Sequence, residues 1–293
     1  MTEGGTKART WTLARRTLAV GARTLVMGVL NVTPDSFSDG GQYFDLERAV
    51  AHAGEMLADG ADIIDIGGES TRPGGASVTA AEELQRIVPV VERLCAQLPR
   101  AVISVDTTKA EVARAALDAG AEIVNDISAL RFDASLADEA ARYGAGLVLM
   151  HSRGTPATLH KLPPVASILP EVTNSLRRSI ALAERRGVAR AQIAIDPGIG
   201  FGKSQEQNLE LLARLDKLAA AFAEFPLLVG TSRKSFIGRL LGDAPVEGRL
   251  HGTMASITAA ILSGAHIIRV HDVRAAVETA RVADGIKAVT SDE

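Results

Sequence analysis

Charged and amide side chains stand directly after, or at the end of, short apolar runs along this chain of 293 residues. They are Asn31, Asp106, Asn125, His151, Asp196, Ser232, Arg233, Lys234, Arg269 and His271. A helix cap or a turn would explain any single one of them, but caps do not require Lys, Arg and His beside Asp. Carboxylates and amides recognise heterocycles by hydrogen bonding, whereas Arg and His bind anions. The set therefore indicates a ligand site.

Other types of chemistry find little support in the sequence. Ser232 lacks a G-x-S-x-G context, and Cys95 lies in a predicted helix. The six histidines show no metal-ligand spacing, which argues against zinc. The glycines of residues 196–203 follow G-x-G-x-G spacing, which is not a nucleotide fingerprint. Covalent catalysis by the protein is therefore not expected.

The elements that must position these residues alternate between apolar runs and helices rich in Ala and Leu. Strands are predicted at residues 24–30, 62–66, 102–105, 122–125, 146–150, 192–195, 226–229 and 266–270. Helices are predicted at residues 46–58, 80–97, 109–119, 134–143, 170–186, 205–222, 246–263 and 273–285. Strands that are apolar throughout suit a parallel sheet covered on both faces. Eight βα units predict an α/β fold, a single (β/α)8 TIM barrel, whose strand ends converge on one mouth. A doubly wound open sheet is the alternative.

Two loops are longer than the barrel needs. They follow the first two strands, at residues 31–42 and 67–79, and they contain Phe37 and Arg72. Glycine-rich loops of this kind suit mobile lids that close over a substrate, although an ordinary surface loop is the alternative. We divide the chain into an N-terminal tail and lead-in at residues 1–22, with 1–12 loose, a catalytic barrel at residues 23–286 and a C-terminal tail at residues 287–293.

Composition excludes several classes of partner. A net charge of -3 with interspersed signs gives no reason to expect nucleic acid or a membrane surface. Cys95 is the single cysteine, so no intrachain disulfide can form, and no signal peptide is evident. We therefore expect a cytoplasmic protein.

Several motifs occur in an order that resembles the dihydropteroate synthase family across about residues 23–286. They are MGVLNVTPDSFSDG at 27–40, IIDIGGESTRPG at 63–74, ISVDT at 103–107, NDI at 125–127, DPG at 196–198, FGK at 201–203, SRKS at 232–235 and RVHDV at 269–273. The family joins 6-hydroxymethyl-7,8-dihydropterin pyrophosphate to p-aminobenzoate in folate biosynthesis, and it releases pyrophosphate. The resemblance implies the same activity here.

The resemblance also implies roles for individual residues. The pterin slot would be lined by Asp106, Asn125, Ile127, Met150, Asp196, Phe201, Gly230 and Lys234. The pyrophosphate would be held by Asn31, Arg269 and His271, with Mg2+ on Asn31 sharing the negative charge. The p-aminobenzoate would contact Phe37, Thr71, Arg72, Pro73, Phe201 and Ser232, where sulfonamides would compete. Asp106, Asp196, Lys234, Arg269 and His271 would be the catalytic residues, and the last helices would form a homodimer.

The absence of an evident base or nucleophile favours a dissociative, SN1-like reaction. Pyrophosphate would leave first, and the buried carboxylates of Asp106 and Asp196 would favour the cationic pterin methylene. Asp65 is interpreted as a structural acceptor at the barrel mouth, and Glu69 as a brace for its loop. A pterin-binding methyltransferase and a pterin-binding protein without turnover are the competing hypotheses.

Overall fold

The computed structural model describes residues 9–32, 42–69, 78–155, 158 and 162–290. The strands within these ranges are β1 (Arg9–Thr12), β2 (Thr17–Val20), β3 (Leu25–Asn31), β4 (Ile63–Gly67), β5 (Val102–Asp106), β6 (Ile123–Asp126), β7 (Gly146–Met150), β8 (Ile193–Asp196), β9 (Leu228–Val229) and β10 (Ile267–Val270). The helices are α1 (Gln42–Ala58), α2 (Ala80–Gln97), α3 (Ala110–Asp118), α4 (Leu136–Tyr143), α5 (Ile168–Arg185), α6 (Gln205–Ala213), α7 (Leu215–Ala221), α8 (Ser235–Leu240), α9 (Leu250–Leu262) and α10 (Val273–Thr290). No helix in these ranges is long and apolar enough to cross a membrane.

Strands β3 to β10 form the predicted (β/α)8 barrel. They pair in parallel in the order β8-β7-β6-β5-β4-β3-β10-β9, and a bridge between Ile195 and Leu227 links the two ends. The register places Gly67 beside Asp106, Asp106 beside Asn125, and Met150 beside Asp196. Residues far apart in the chain therefore become neighbours at the carboxyl ends of the strands, where such barrels place their sites.

The apolar runs form strands because both of their faces are buried. One face of each strand, with Val26 and Ile64 among its members, packs against the surrounding helices. The other face, represented by Met27 and Ile63, fills the barrel interior. Successive strand residues point to opposite faces, so a strand between two apolar layers shows no polar alternation.

Residues 1–12 are predicted as a loose tail, but residues 9–12 form strand β1, and residues 1–8 lie outside the described residues. Strands β1 and β2 pair as an antiparallel hairpin. Trp11 of this hairpin is fully buried among the interior residues, and its Nε1 donates to the carbonyl oxygen of Gln192 at 2.7 Å. A Cβ on Gly146, the first residue of β7, would lie 3.1 Å from the Trp11 ring. The hairpin thus closes the end of the barrel opposite the mouth.

Three predicted helices also differ from the structure. The segment predicted as one helix over residues 205–222 is interrupted at Arg214, between α6 and α7. The segment predicted over residues 246–263 begins with the 3-10 turn Val246–Arg249, and α8 lies before it, unpredicted. Helix α10 continues to Thr290, so it includes most of the predicted C-terminal tail. The remaining bounds differ from the predictions by a few residues, as expected for helix and strand ends.

Candidate active site

A cavity opens at the carboxyl ends of the barrel strands. It is lined by Val29, Asn125, Ile127, Met150, Asp196, Phe201, Gly230, Ser232, Lys234, Arg269 and His271. All but Val29 are named in the sequence analysis. The polar ones are expected there because residues that follow strands converge on the mouth of a barrel, whereas Ile127, Phe201 and Gly230 are implied only by the family resemblance. Val29 belongs to the apolar interior of β3, and nothing in the sequence distinguishes it from its neighbours.

Asp106, which the resemblance places in the pterin slot, lies beside this cavity and contacts one of its lining residues. Its Oδ2 accepts a hydrogen bond from Arg269 Nη2 at 2.7 Å. Arg269 Nε donates to Asp65 Oδ2 at 2.6 Å, and Asn125 Nδ2 donates to the same oxygen at 3.0 Å. Asp65 is fully buried. Its carboxylate therefore orients two cavity residues, as expected for a structural acceptor at the mouth.

Burial and mutual charge shift the pKa values in this cluster. Burial raises the pKa of Asp106 to about 7, against the lowering effect of Arg269 and with a further raising effect of Asp65. Burial alone would lower the pKa of Arg269, but the charges of Asp65 and Asp106 raise it. The guanidinium thus stays charged, and the second carboxyl beside it binds its proton more tightly than an exposed one.

Asp196 and Lys234 present opposite charges to the cavity. The backbone N–H of Gly198 donates to Asp196 Oδ1 at 2.6 Å. The Lys234 ammonium donates to the carbonyl oxygen of Ile199, and it lies 4.5 Å from the centre of the Phe201 ring. Burial lowers the pKa of Lys234 to about 8, and the charge of Asp196 opposes this. Burial raises the pKa of Asp196, while Lys234 opposes that change.

Ser232 and His271 join the loops that follow β9 and β10. Ser232 Oγ accepts from the His271 backbone N–H at 3.1 Å, and it lies 3.0 Å from His271 Nδ1. Arg233 and Asp272 connect the same loops through an ion pair, with Arg233 Nε 2.9 Å from Asp272 Oδ2. The Arg233–Asp272 ion pair joins residues 39 positions apart in the chain, so no local sequence pattern indicates it.

Asp126 precedes the lining residue Ile127 and supports the turn that follows it, a role that the sequence alone does not indicate. Asp126 is fully buried, and its carboxylate accepts from the backbone N–H groups of Ser128 at 2.7 Å and Leu130 at 2.5 Å. Ala129 and Leu130 adopt left-handed φ values of 50° and 67°. The carboxylate thus stabilises a turn whose left-handed backbone conformation is rare for residues other than glycine.

Asn31 stands at the end of β3, near Asp106. Asn31 Oδ1 and Asp106 Oδ2 each lie 3.9 Å from the position that a Cβ on Gly67 would take. No group of three or more His, Cys, Asp or Glu residues that could hold a metal occurs within the described ranges. Asn31 Oδ1 and Asp106 Oδ2 therefore both lie near Gly67 at the mouth, and Asp106 Oδ2 is already paired with Arg269.

Glu69, which follows β4, is joined to Glu83 through Lys109. Its carboxylate accepts from Lys109 Nζ at 2.6 Å, and the same ammonium donates to the buried Glu83 at 2.5 Å. The predicted ligand residues Phe37, Thr71, Arg72 and Pro73 lie outside the described residues, as does most of each long loop.

Comparison with known proteins places this geometry in a family. The family model described as pterin binding enzyme matches residues 27–271. The chain is 48% identical to the dihydropteroate synthase of Synechocystis over 91% of both chains. It is 50% identical to that of Escherichia coli over 88% of this chain and 90% of the other.

Solved structures agree with these matches. The dihydropteroate synthase of Xanthomonas albilineans with 4-aminobenzoic acid superposes with a TM-score of 0.87 at 44% identity, covering 95% of this chain and 99% of that one. The Clostridium difficile enzyme in the presence of pteroic acid gives a TM-score of 0.86 at 43% identity, covering 92% and 98%.

Proposed function

The chain belongs to the dihydropteroate synthase family of pterin-binding enzymes, and we propose that it condenses 6-hydroxymethyl-7,8-dihydropterin pyrophosphate with p-aminobenzoate. The products are 7,8-dihydropteroate and pyrophosphate. The observation that carries the proposal is the convergence of Asp196, Asn125 and Lys234 on one cavity, with Arg269 and His271 in the same lining.

The pterin is recognised by complementary hydrogen bonds. A pterin ring presents an exocyclic amine and a ring N–H side by side, so one carboxylate can accept both hydrogen bonds. Asp196 is the carboxylate in the cavity lining, and Lys234 and Asn125 supply donors for the ring acceptors. Sites built in this way reject analogues that lack the partner groups.

The second substrate and the leaving group lie towards the loops that follow β9 and β10. Arg269 and His271 hold the pyrophosphate, and Ser232 contributes to the p-aminobenzoate site together with Thr71, Arg72 and Pro73 of the loop after β4. A solved relative from Yersinia pestis is a complex with a sulfonamide drug. We accordingly expect sulfonamides to compete with p-aminobenzoate here.

The reaction proceeds by departure of pyrophosphate before the amine attacks. Asn31 would hold Mg2+, and the bound ion would supply positive charge to the leaving group. The carboxylates of Asp106 and Asp196 lie in or beside the cavity and favour positive charge on the pterin methylene. The aromatic amine is largely unprotonated at neutral pH, so its attack on carbon needs no strong base. Strong bonding to the incoming amine in kinetic isotope effects would contradict this order of events.

The test is pyrophosphate release from the pterin pyrophosphate with Mg2+, with and without p-aminobenzoate. We expect dihydropteroate to form only with p-aminobenzoate, and formation to collapse in Lys234→Ala. Lys217→Ala, on the exposed face of α7, is the matched control and should leave the rate unchanged. Tight pterin binding without pyrophosphate release would instead indicate a pterin-binding methyltransferase or a binding protein without turnover.

We also propose a homodimer formed through the last helices. Val282, Ile286 and Val289 of α10 are 66%, 49% and 72% exposed, and Leu262 at the end of α9 is 45% exposed. Residues spaced by three or four lie on one face of a helix, and an exposed apolar face of this kind favours a second copy. Light scattering should show a dimer that Ile286→Glu weakens. A monomer at micromolar concentration would contradict the proposal.

A further inference from the structure

Lys203 extends its ammonium into a ring of backbone carbonyl groups beneath the cavity. Its Nζ donates to the carbonyl oxygens of Gly198 at 2.6 Å, His151 at 3.2 Å and Phe201 at 3.2 Å. An ammonium has three N–H donors, and all three are used here. A neutral amine would turn its lone pair towards one of the carbonyl oxygens. The three contacts therefore favour the charged form, whereas burial lowers the pKa of Lys203 well below its usual value and the charge of Asp196 opposes that change.

The three carbonyl groups belong to two segments that form one wall of the cavity. His151 follows β7, whereas Gly198 and Phe201 belong to the loop after β8. The two segments lie so close that a Cβ on Gly198, where φ is +66°, would lie 1.8 Å from the His151 carbonyl oxygen. Only glycine fits such an approach. Lys203 thus bridges the contact between the two segments.

The same bridge reaches the pterin-binding carboxylate. Gly198, whose carbonyl oxygen accepts from Lys203, donates its N–H to Asp196 Oδ1 at 2.6 Å. Phe201, the third residue bonded to Lys203, lines the cavity together with Asp196. Loss of the ammonium would leave three carbonyl groups close together without their donor, and the loop would have to rearrange around both lining residues.

The ammonium also acts on Asp196 through its charge. Burial raises the pKa of Asp196, and the positive charges of Lys234, Lys203 and Arg269 oppose that rise. Burial is the main influence on Lys203 and lowers its pKa; the charge of Asp196 raises this pKa, and the charges of Lys234, Arg153 and Arg131 lower it. His151 contributes no charge at neutral pH, because burial and the neighbouring cations lower its pKa to about 2. In its charged form, Lys203 is one of three cations that oppose the rise in the pKa of Asp196.

We propose that Lys203 is a positioning residue for the pterin, which fixes the wall formed by Asp196 and Phe201 and keeps the Asp196 carboxylate in its hydrogen-bond-accepting form. This inference rests on the proposed function, because it assumes that Asp196 accepts hydrogen bonds from a pterin. It assigns a role to Lys203 of the FGK motif at 201–203, which is not among the residues that line the cavity.

The test is calorimetric binding of 6-hydroxymethylpterin between about pH 5 and about pH 8, where carboxyl groups of raised pKa titrate. Wild-type binding should weaken at acid pH, because a protonated Asp196 cannot accept both pterin hydrogen bonds. Lys203→Met should bind about tenfold or more weakly, as expected for loss of hydrogen bonds from a charged group. The pH below which binding weakens (the acid limb of the profile) should also be higher in this variant by about one unit, because removal of a nearby cation raises the pKa of Asp196.

The pH profile separates this role from a general effect on folding. If Lys203 only supported the fold, its substitution would weaken binding by the same factor at every pH. An acid limb that stays at the wild-type pH in Lys203→Met would therefore overturn the proposal that the Lys203 charge acts on Asp196. Lys217→Met, the same substitution on an exposed lysine, should match the wild type. Lys203→Arg keeps the charge but cannot present three donors at one point. This variant should therefore bind the pterin more weakly than the wild type, with its acid limb at the wild-type pH.

The Arg variant also covers the case in which Lys203→Met does not fold, as judged by near-UV circular dichroism. Wild-type affinity in Lys203→Arg would then overturn the positioning role. If the wild type binds no 6-hydroxymethylpterin, the proposed function fails, and the inference fails with it. If the wild type binds but both variants match it in affinity and pH profile, only the inference fails.

Discussion

Asp65→Asn is the substitution that most directly tests how the site is supported from within the barrel. The change keeps the shape of the side chain and removes its charge. Asp65 Oδ2 accepts from Arg269 Nε at 2.6 Å and from Asn125 Nδ2 at 3.0 Å, and both donors belong to cavity residues. The substitution therefore perturbs stability and ligand binding through the same oxygen atom.

The magnitude follows from those two contacts. A hydrogen bond to a charged group contributes about 1.5–3 kcal/mol, so two of them contribute about 3–6 kcal/mol. The asparagine oxygen still accepts one neutral hydrogen bond, and Arg269 retains its 2.7 Å contact with Asp106. Breaking a buried ion pair costs about 3–5 kcal/mol when one partner is left uncompensated. Because Arg269 keeps one carboxylate, we expect the free energy of unfolding to fall by about 3 kcal/mol.

The pH dependence gives the prediction a second signature. The pKa of Asp106 is raised to about 7 by burial first, and the charge of Asp65 contributes to the rise. A raised carboxyl pKa means that the folded state holds a proton which the unfolded state releases, so this group makes stability fall as pH rises from about 4 to about 7. Asp65→Asn lowers the pKa of Asp106 and lessens that fall. The destabilisation should therefore be larger near pH 5 than near pH 8.

Urea denaturation at several pH values measures both effects. Glu224→Gln is the matched control, since Glu224 pairs with Arg190 on the surface at 2.5 Å and exposed pairs contribute little. The reasoning would be refuted by a loss below about 1 kcal/mol in Asp65→Asn, or by a loss that does not change with pH.

Three further predictions concern single side chains. Lys234→Met should weaken pterin binding by about 10- to 100-fold. Wild-type binding should decline as pH rises through about 8, where the Lys234 ammonium loses its proton, and the variant should lack this decline. Calorimetry at several pH values measures both effects. Trp11→Ala should lower the free energy of unfolding by about 3–5 kcal/mol, which denaturant titration measures, and a negligible loss would show that the hairpin contributes little. Asp126→Ala should lower the free energy of unfolding by about 3 kcal/mol, because two backbone N–H groups lose their acceptor. It should also weaken pterin binding through Ile127, and unchanged binding would show that the turn does not influence the site.

Much of the site was predictable because, in a barrel, residues at the carboxyl ends of the strands lie close together in space. Asp196 ends β8, Asn125 is the last residue but one of β6, and Lys234 follows β9 closely. Parallel strands of one barrel share a carboxyl end, so the location of such residues follows from strand assignment alone. The same local patterns placed most helices within a few residues of their observed bounds.

The interactions that support the site were not predictable in the same way. Asp65 lies within an apolar run, and its partner Arg269 is 204 residues away. Trp11 bonds to a carbonyl group 181 residues distant, so the short hairpin that contains it resembles an unattached tail in sequence. Lys203 shows no local feature that indicates three carbonyl partners. Such contacts depend on how the strands close, and closure is a property of the whole chain.

The sequence by itself determined the alternation of strands and helices, the eight-stranded barrel and the polar residues that meet at its mouth. Hydrophobic periodicity and glycine positions are local, so they can be read along the chain. Only the tertiary structure decided which charges compensate one another, that Asp106 pairs with Arg269 beside the cavity, and that Lys203 bridges β7 and the loop after β8. These outcomes depend on distance and burial, because the electrostatic energy of a group changes severalfold between solvent and interior.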